Sequence, residues 1–250
     1  MFDVGHGGGD PGAVANGLRE SECNLAVAKA TRAHLLRLLP NAQVRLSRDD
    51  DRQLVAQQRV KLVRDFVPDI CVSIHHNSAT ATAQGAEVFY ANGDGRGREL
   101  AELIGMALQS IGRSWRGAKT RLSSSGKDYY YMIRDINNSK TVALLYEGAF
   151  LTNASEAAWL KAGGLEQQGM AIAEAVAEYL RRMQPVQETQ LPPMPKMIVP
   201  TLVYDEMTSA VYHAYVIDGT TYVPVRAIAE SAGRFVQWDA KTNKTTLKKK

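Results

Sequence analysis

Five of the chain's nine prolines fall within residues 184–200, QPVQETQLPPMPKMIVP, and no other feature restricts the fold so strongly. Proline fixes φ and has no amide hydrogen, so such a run can neither continue a helix nor sit inside a sheet. It reads as a semi-rigid linker, partly polyproline in conformation. The 250 residues are therefore expected to form a large domain over 1–183, a linker over 184–200 and a small domain over 201–250.

Composition narrows the class. Apolar residues make up 45% and charged residues 22%, which excludes wholesale disorder, collagen-like repetition and a coiled coil. The net charge of +4 is spread in both signs, apart from Lys248–Lys250 at the end, so a nucleic-acid partner is not expected. No run of about 18 apolar residues suggests a membrane span. The opening MFDVGHGGGDPG lacks the basic start and apolar middle of a signal peptide, so synthesis without one is expected. Cys23, in an expected helix, and Cys71, inside an apolar run, read as core residues, not as a disulfide framework.

In the large part, short β-rich runs alternate with helical patterns. This predicts an α/β fold, a twisted, mostly parallel sheet flanked by helices. Strands are expected near Met1–Val4, Ala42–Ser47, Asp69–His75, Ala86–Tyr90, Tyr129–Ile133 and Val142–Tyr146. Helices are expected over Glu22–Leu39, Arg52–Phe66, Gly97–Ile111 and Gly169–Met183, with Pro40 and Pro68 as stops. The small part reads as α+β, with a hairpin at Ile217–Thr220, a helix over Val225–Ala232 and strands at Phe235–Trp238 and Thr245–Leu247.

Three of the five histidines lie at or just after expected strand ends: His6 in DVGHGGGDPG, and His75 and His76 in CVSIHHNS. The carboxyl ends of strands are where an open α/β sheet assembles ligand sites. Strand side chains alternate between faces, so His75 and His76 cannot both serve one site. His34 and His213 read as bystanders. Glu20, before a helix, and Glu147, after the apolar run TVALLY, are the acidic candidates. A carboxylate at a buried strand end needs a partner, and a metal ion would be one. Two imidazoles and one carboxylate leave an open position on tetrahedral zinc, with a further carboxylate free to act as general base. Two other chemistries fit less well. Gly7–Gly12 contains G-x-G-x-x-G, but no helix opens on its third glycine and no acidic residue ends the next strand, against a dinucleotide site. No G-x-S-x-G elbow presents a nucleophile.

Six stretches, DVGHGGGDPGA, GLRESECNLAVA, LSRDDD with Arg59 following, PDICVSIHHNS, GAEVFY and ALLYEGAFLTN, occur in this order over residues 1–183. In that order they resemble the zinc-dependent N-acetylmuramoyl-L-alanine amidases of the amidase-3 type. The resemblance implies zinc held by His6, Glu20 and His75, with Glu147 as the catalytic residue. Glu20 is preferred over Glu22 because the family's ligand lies five residues before the leucine matched here by Leu25. Glu147-Gly-Ala-Phe departs from the family's tightest form, Glu-x-Gly-Phe, in the position of its glycine. The implied substrate is peptidoglycan, cut between N-acetylmuramic acid and the L-alanine of the stem peptide by a monomer acting at the bacterial cell wall. A phage endolysin is the expected setting. A bacterial autolysin, a sporulation mother-cell amidase and a non-catalytic wall-binding protein are the alternatives. YVPVRAIAE and FVQWD in the small part resemble the amino-terminal domain of copper amine oxidases, and its place after a linker suggests wall targeting.

Overall fold

The computed structural model describes residues 1–183 in full and, beyond them, the backbone of 199–204, 211–217, 220–222, 234–239 and 244–249. Backbone contacts divide the chain into two compact units, Met1–Gln184 and Pro185–Lys250.

In the first unit the elements run β1 (Phe2–Val4), β2 (Val14–Ala15), β3 (Leu18–Arg19), α1 (Glu20–Leu38), α2 (Ala56–Phe66), β4 (Ile70–Asn77), β5 (Ala86–Tyr90), α3 (Gly95–Ser110), β6 (Trp115–Lys119), α4 (Tyr131–Arg134), β7 (Val142–Phe150), α5 (Ala154–Trp159) and α6 (Leu165–Met183). A π-helical turn, Leu160–Gly164, joins α5 to α6. The main sheet has the order β1-β4-β7-β5-β6. All its pairings are parallel except β5 with β7. β4 and β7 are buried along almost their whole lengths, as expected of strands covered on both faces.

The two faces differ in thickness. Phe2, Val4, Val72, Ile74, Val88, Leu144 and Tyr146 point into the main core, against α1, α3 and α6. The alternate residues, including Cys71, Ala143, Leu145 and Phe89, meet only α2 and the short α4, through Val63, Met132 and Ile133. The chemistry lies on this thinner side. α1 and α6 approach closely at Gly169, where a Cβ would stand 2.8 Å from the Thr31 amide nitrogen. α1 begins with two acidic residues in its first turn, where the helix dipole favours them.

Two expected strands are absent. Ala42–Ser47 makes only an isolated bridge between Leu46 and Phe2. The Val4 amide, which would extend the ladder, donates instead to the Ser47 hydroxyl at 2.8 Å, so pairing stops there. Tyr129–Ile133 contributes to a helical turn, α4, because Tyr130 and Tyr131 carbonyls accept from Ile133, Arg134 and Asp135 while Met132 and Ile133 turn onto the sheet. Tertiary packing overrides the β-propensity of the aromatic run. The β2–β3 hairpin, edge strand β6 and α5 were not anticipated.

The second unit is a five-stranded sheet of β8 (Val199–Tyr204), β9 (Val211–Ile217), β10 (Thr220–Tyr222), β11 (Arg234–Asp239) and β12 (Lys244–Lys249), in the order β10-β9-β8-β12-β11. The expected strands at Phe235–Trp238 and Thr245–Leu247 fall within β11 and β12, and β9 pairs antiparallel with β10 across the expected hairpin. The expected helix Val225–Ala232 lies outside the described residues, as does the linker up to residue 198, but the last two linker residues, Val199 and Pro200, open β8, with Pro200 paired to Tyr215 of β9.

Candidate functional site

His6, Glu20 and His75 come from a loop after β1, the first residue of α1 and the end of β4, and they converge. One donor atom from each lies within 4.8 Å of the others. Glu20 Oε1 is 3.1 Å from His6 Nε2 and 3.0 Å from His75 Nδ1. The two imidazole rings meet edge to face at 5.1 Å.

Local backbone makes the convergence possible. His6 itself has φ of 60°, and Gly12 has φ of 64°. A Cβ at Gly12 would stand 2.5 Å from Glu20 Oε2 and 2.7 Å from His6 Cδ2, so the loop closes over the cluster only because glycine is there. At the strand end, β4 and β7 slip register between His75 and Asn77, a bulge that fits the re-aiming of side chains at a site.

Each donor is held from behind. His6 Nδ1 faces Asp10 Oδ2 at 2.8 Å, and the other Asp10 oxygen accepts from the Gly12 amide at 3.0 Å. Glu20 accepts from the amides of Ala13 at 2.9 Å and His76 at 3.2 Å. His75 Nε2 faces the Arg59 guanidinium at 3.4 Å. Arg59 in turn makes a bidentate contact with buried Asp3, whose Oδ2 also accepts from the Ser73 hydroxyl at 2.6 Å. A carboxylate behind one imidazole and fixed amides behind the carboxylate are the supports that a metal-ligating set requires.

Electrostatics follow the geometry. Burial alone would raise the Glu20 carboxyl, but hydrogen bonds and charge from His6 and His75 hold it far below the carboxylate range. Burial pulls the His75 imidazole down, and the Arg59 charge adds to that effect against the attraction of Glu20. Glu147 is the opposite case: burial, reinforced by the charges of Glu20 and Glu87, pushes its carboxyl well above the usual range. It is the register partner of both His75 on β4 and Glu87 on β5. Its Oε2 is out of reach of solvent and has no hydrogen-bond partner among the described residues.

His76 points to the opposite face, as alternation predicts. Its Nδ1 meets Asn24 Oδ1 at 2.8 Å, its Nε2 meets Gln168 Nε2 at 3.3 Å, and Gln168 accepts from the Tyr146 hydroxyl at 2.6 Å. Glu22 is exposed beside Arg19 and stands outside the cluster. Sequence reasoning did not single out Asp10, Asp3 or Asn24. Asp10 had a usable signal, a carboxylate four residues after a histidine with only glycines between.

The sequence matches the family model "N-acetylmuramoyl-L-alanine amidase" over residues 1–180 and "Copper amine oxidase N-terminal domain" over residues 205–250. It is 33% identical to the uncharacterized protein YqiI of Bacillus subtilis, covering 70% of this chain and 79% of that protein. It is 34% identical to the N-acetylmuramoyl-L-alanine amidase LytC of the same organism, covering 72% of this chain and only 35% of LytC. Among solved structures, the catalytic domain of the amidase CwlV from Bacillus (Paenibacillus) polymyxa var. colistinus superposes with a TM-score of 0.63 at 29% identity, covering 72% of this chain and 96% of that one. The family model takes in residues 1–180, well over half of the chain, which therefore belongs to the N-acetylmuramoyl-L-alanine amidase family.

Proposed function

We propose that this chain hydrolyses the amide bond between N-acetylmuramic acid and the L-alanine of the peptidoglycan stem peptide, with zinc held by His6, Glu20 and His75 and protons handled by Glu147. The observation that carries the reading is the three-donor cluster, its donor atoms within 4.8 Å of one another, beside a buried carboxylate oxygen without a partner among the described residues. Two imidazoles and one carboxylate suit zinc and leave a coordination position open.

Bound there, zinc supplies Lewis acidity at the amide carbonyl and makes a water more acidic. The residues do the rest. Asp10 accepts from His6 Nδ1 and so leaves Nε2 directed at Glu20. The amides of Ala13 and His76 keep the Glu20 oxygens from turning. Glu147 takes a proton from the attacking water and returns one to the leaving nitrogen as the C–O bond forms and the C–N bond breaks. Burial beside the cluster pushes its carboxyl up, which makes the carboxylate a stronger base toward the attacking water.

The second unit, with its match to the copper amine oxidase N-terminal domain, is read as a wall-binding module of a monomer that raises the local concentration of substrate. No described helix is long and apolar enough to cross a membrane. Digestion of purified walls tests the reading. Mass spectrometry of the fragments is expected to find new free L-alanine amino groups, with activity lost on chelation and restored by zinc. Glu147→Gln is expected to keep stoichiometric zinc and lose hydrolysis, and full hydrolysis by this variant would reject the role given to Glu147.

A further inference from the structure

A transverse row of ionisable groups crosses the thin face of the sheet. His75 on β4, Glu147 on β7 and Glu87 on β5 are successive register partners, and Arg116 and Lys119 of edge strand β6 close on Glu87. Glu87 Oε1 accepts from Asn77 Nδ2 at 2.9 Å. Its Oε2 accepts from Arg116 Nε at 2.8 Å and from Lys119 Nζ at 2.5 Å.

One carboxylate thus meets two cations, so the outer end of the row keeps a net positive charge. One cation would suffice to neutralise Glu87. Exposure rises outward, from 8% for the Glu87 side chain to 35% for Lys119 and 39% for Arg116. Arg116 directs Nε to Glu87 and Nη1 to the Gln84 carbonyl at 3.2 Å, and its Nη2 has no hydrogen-bond partner among the described residues. An ammonium with further donors and a guanidinium with an open edge suit a second carboxylate.

Resting on the amidase reading, the geometry points to Arg116 and Lys119 as a subsite for a carboxylate on the peptide side of the substrate. β6 lies two strand spacings from the Glu147 strand, roughly 10 Å. An extended peptide covers that distance in about three residues. The ligand class is therefore an acidic peptide whose free carboxylate lies within about three residues of the scissile amide.

The alternative is a cation pair that only neutralises Glu87, and a binding measurement separates the two. A muramoyl tripeptide with free carboxylates and its fully amidated counterpart are titrated calorimetrically into the zinc-loaded, full-length chain carrying Glu147→Gln, so that no turnover intrudes. The carboxylate form is expected to bind about five- to tenfold more tightly, with a preference that weakens as salt rises. Adding Arg116→Gln and Lys119→Gln together is expected to bring the preference within about twofold while affinity for the amidated peptide holds. Lys119→Met alone leaves Arg116 on Glu87, should the multiple variant fail to fold, and is expected to lower the preference part-way. No preference in the Glu147→Gln parent, or an undiminished one in the variants that fold, overturns the subsite. The amidase reading fails separately, if the zinc-loaded unsubstituted chain releases no amine from either peptide.

Discussion

Replacing Asp3 by Asn tests whether the polar layer beneath the cluster is an integral support. Asp3 is fully buried, and Arg59, only 8% exposed at its side chain, approaches it bidentately. The substitution keeps the shape but removes the charge, leaving a guanidinium with no compensating carboxylate directly behind His75. Breaking a buried pair in this way costs about 3–5 kcal/mol, and the retained amide oxygen places this case near ~3 kcal/mol. Against a usual domain stability of about 5–15 kcal/mol that is a large fraction. In a unit of this size it corresponds to a fall in Tm of roughly 6–12 °C.

Hydrogen exchange of peptides covering β1 and β4 along a urea series reads the first unit alone. A double-mutant cycle with Arg59→Met should show positive coupling, because the double variant no longer strands a charge. The pH dependence has a fixed sign. Burial opposes ionisation of Asp3, but the charge and hydrogen bonds of Arg59 win and hold its carboxyl below the ordinary value. Its contribution is therefore present above the unfolded value near 4 and lost as pH falls through the lower folded value. Asp3→Asn should flatten that acid limb. A loss below about 1 kcal/mol, or no coupling to Arg59, would refute the reasoning.

Two substitutions at the cluster follow. Asp10→Ala should weaken zinc binding about tenfold in a chelator competition and leave the urea midpoint in place, since Asp10 is half exposed and its side chain contacts only His6 and the Gly12 amide of the same loop. Gly12→Ala should displace Glu20 or His6 and distort a backbone at φ of 64°, costing about 1–2 kcal/mol and most of the zinc affinity by the same competition.

Elements with a strong periodic pattern and clear stops were legible in the chain. The expected β5 coincides with the observed Ala86–Tyr90, and α1 and α2 end before Pro40 and Pro68 as expected. Tyr129–Ile133 misled because three adjacent tyrosines score as strand, whereas its buried Met132 and Ile133 are placed by packing on the sheet. Trp115–Lys119 was missed because an edge strand with Gly117 at its centre carries little alternation.

The same division runs through the site. Residue order and side-chain alternation alone brought forward His6, Glu20, Glu147 and one of His75 and His76 as candidates, because these are local properties, and the resemblance to the amidase family chose His75 and set Glu22 aside. The Asp3–Arg59–Ser73 layer behind His75 and the row from Glu147 to Lys119 belong to the tertiary structure. Each depends on strand order, and a neighbour across a parallel sheet is separated along the chain by a crossover that no local pattern encodes.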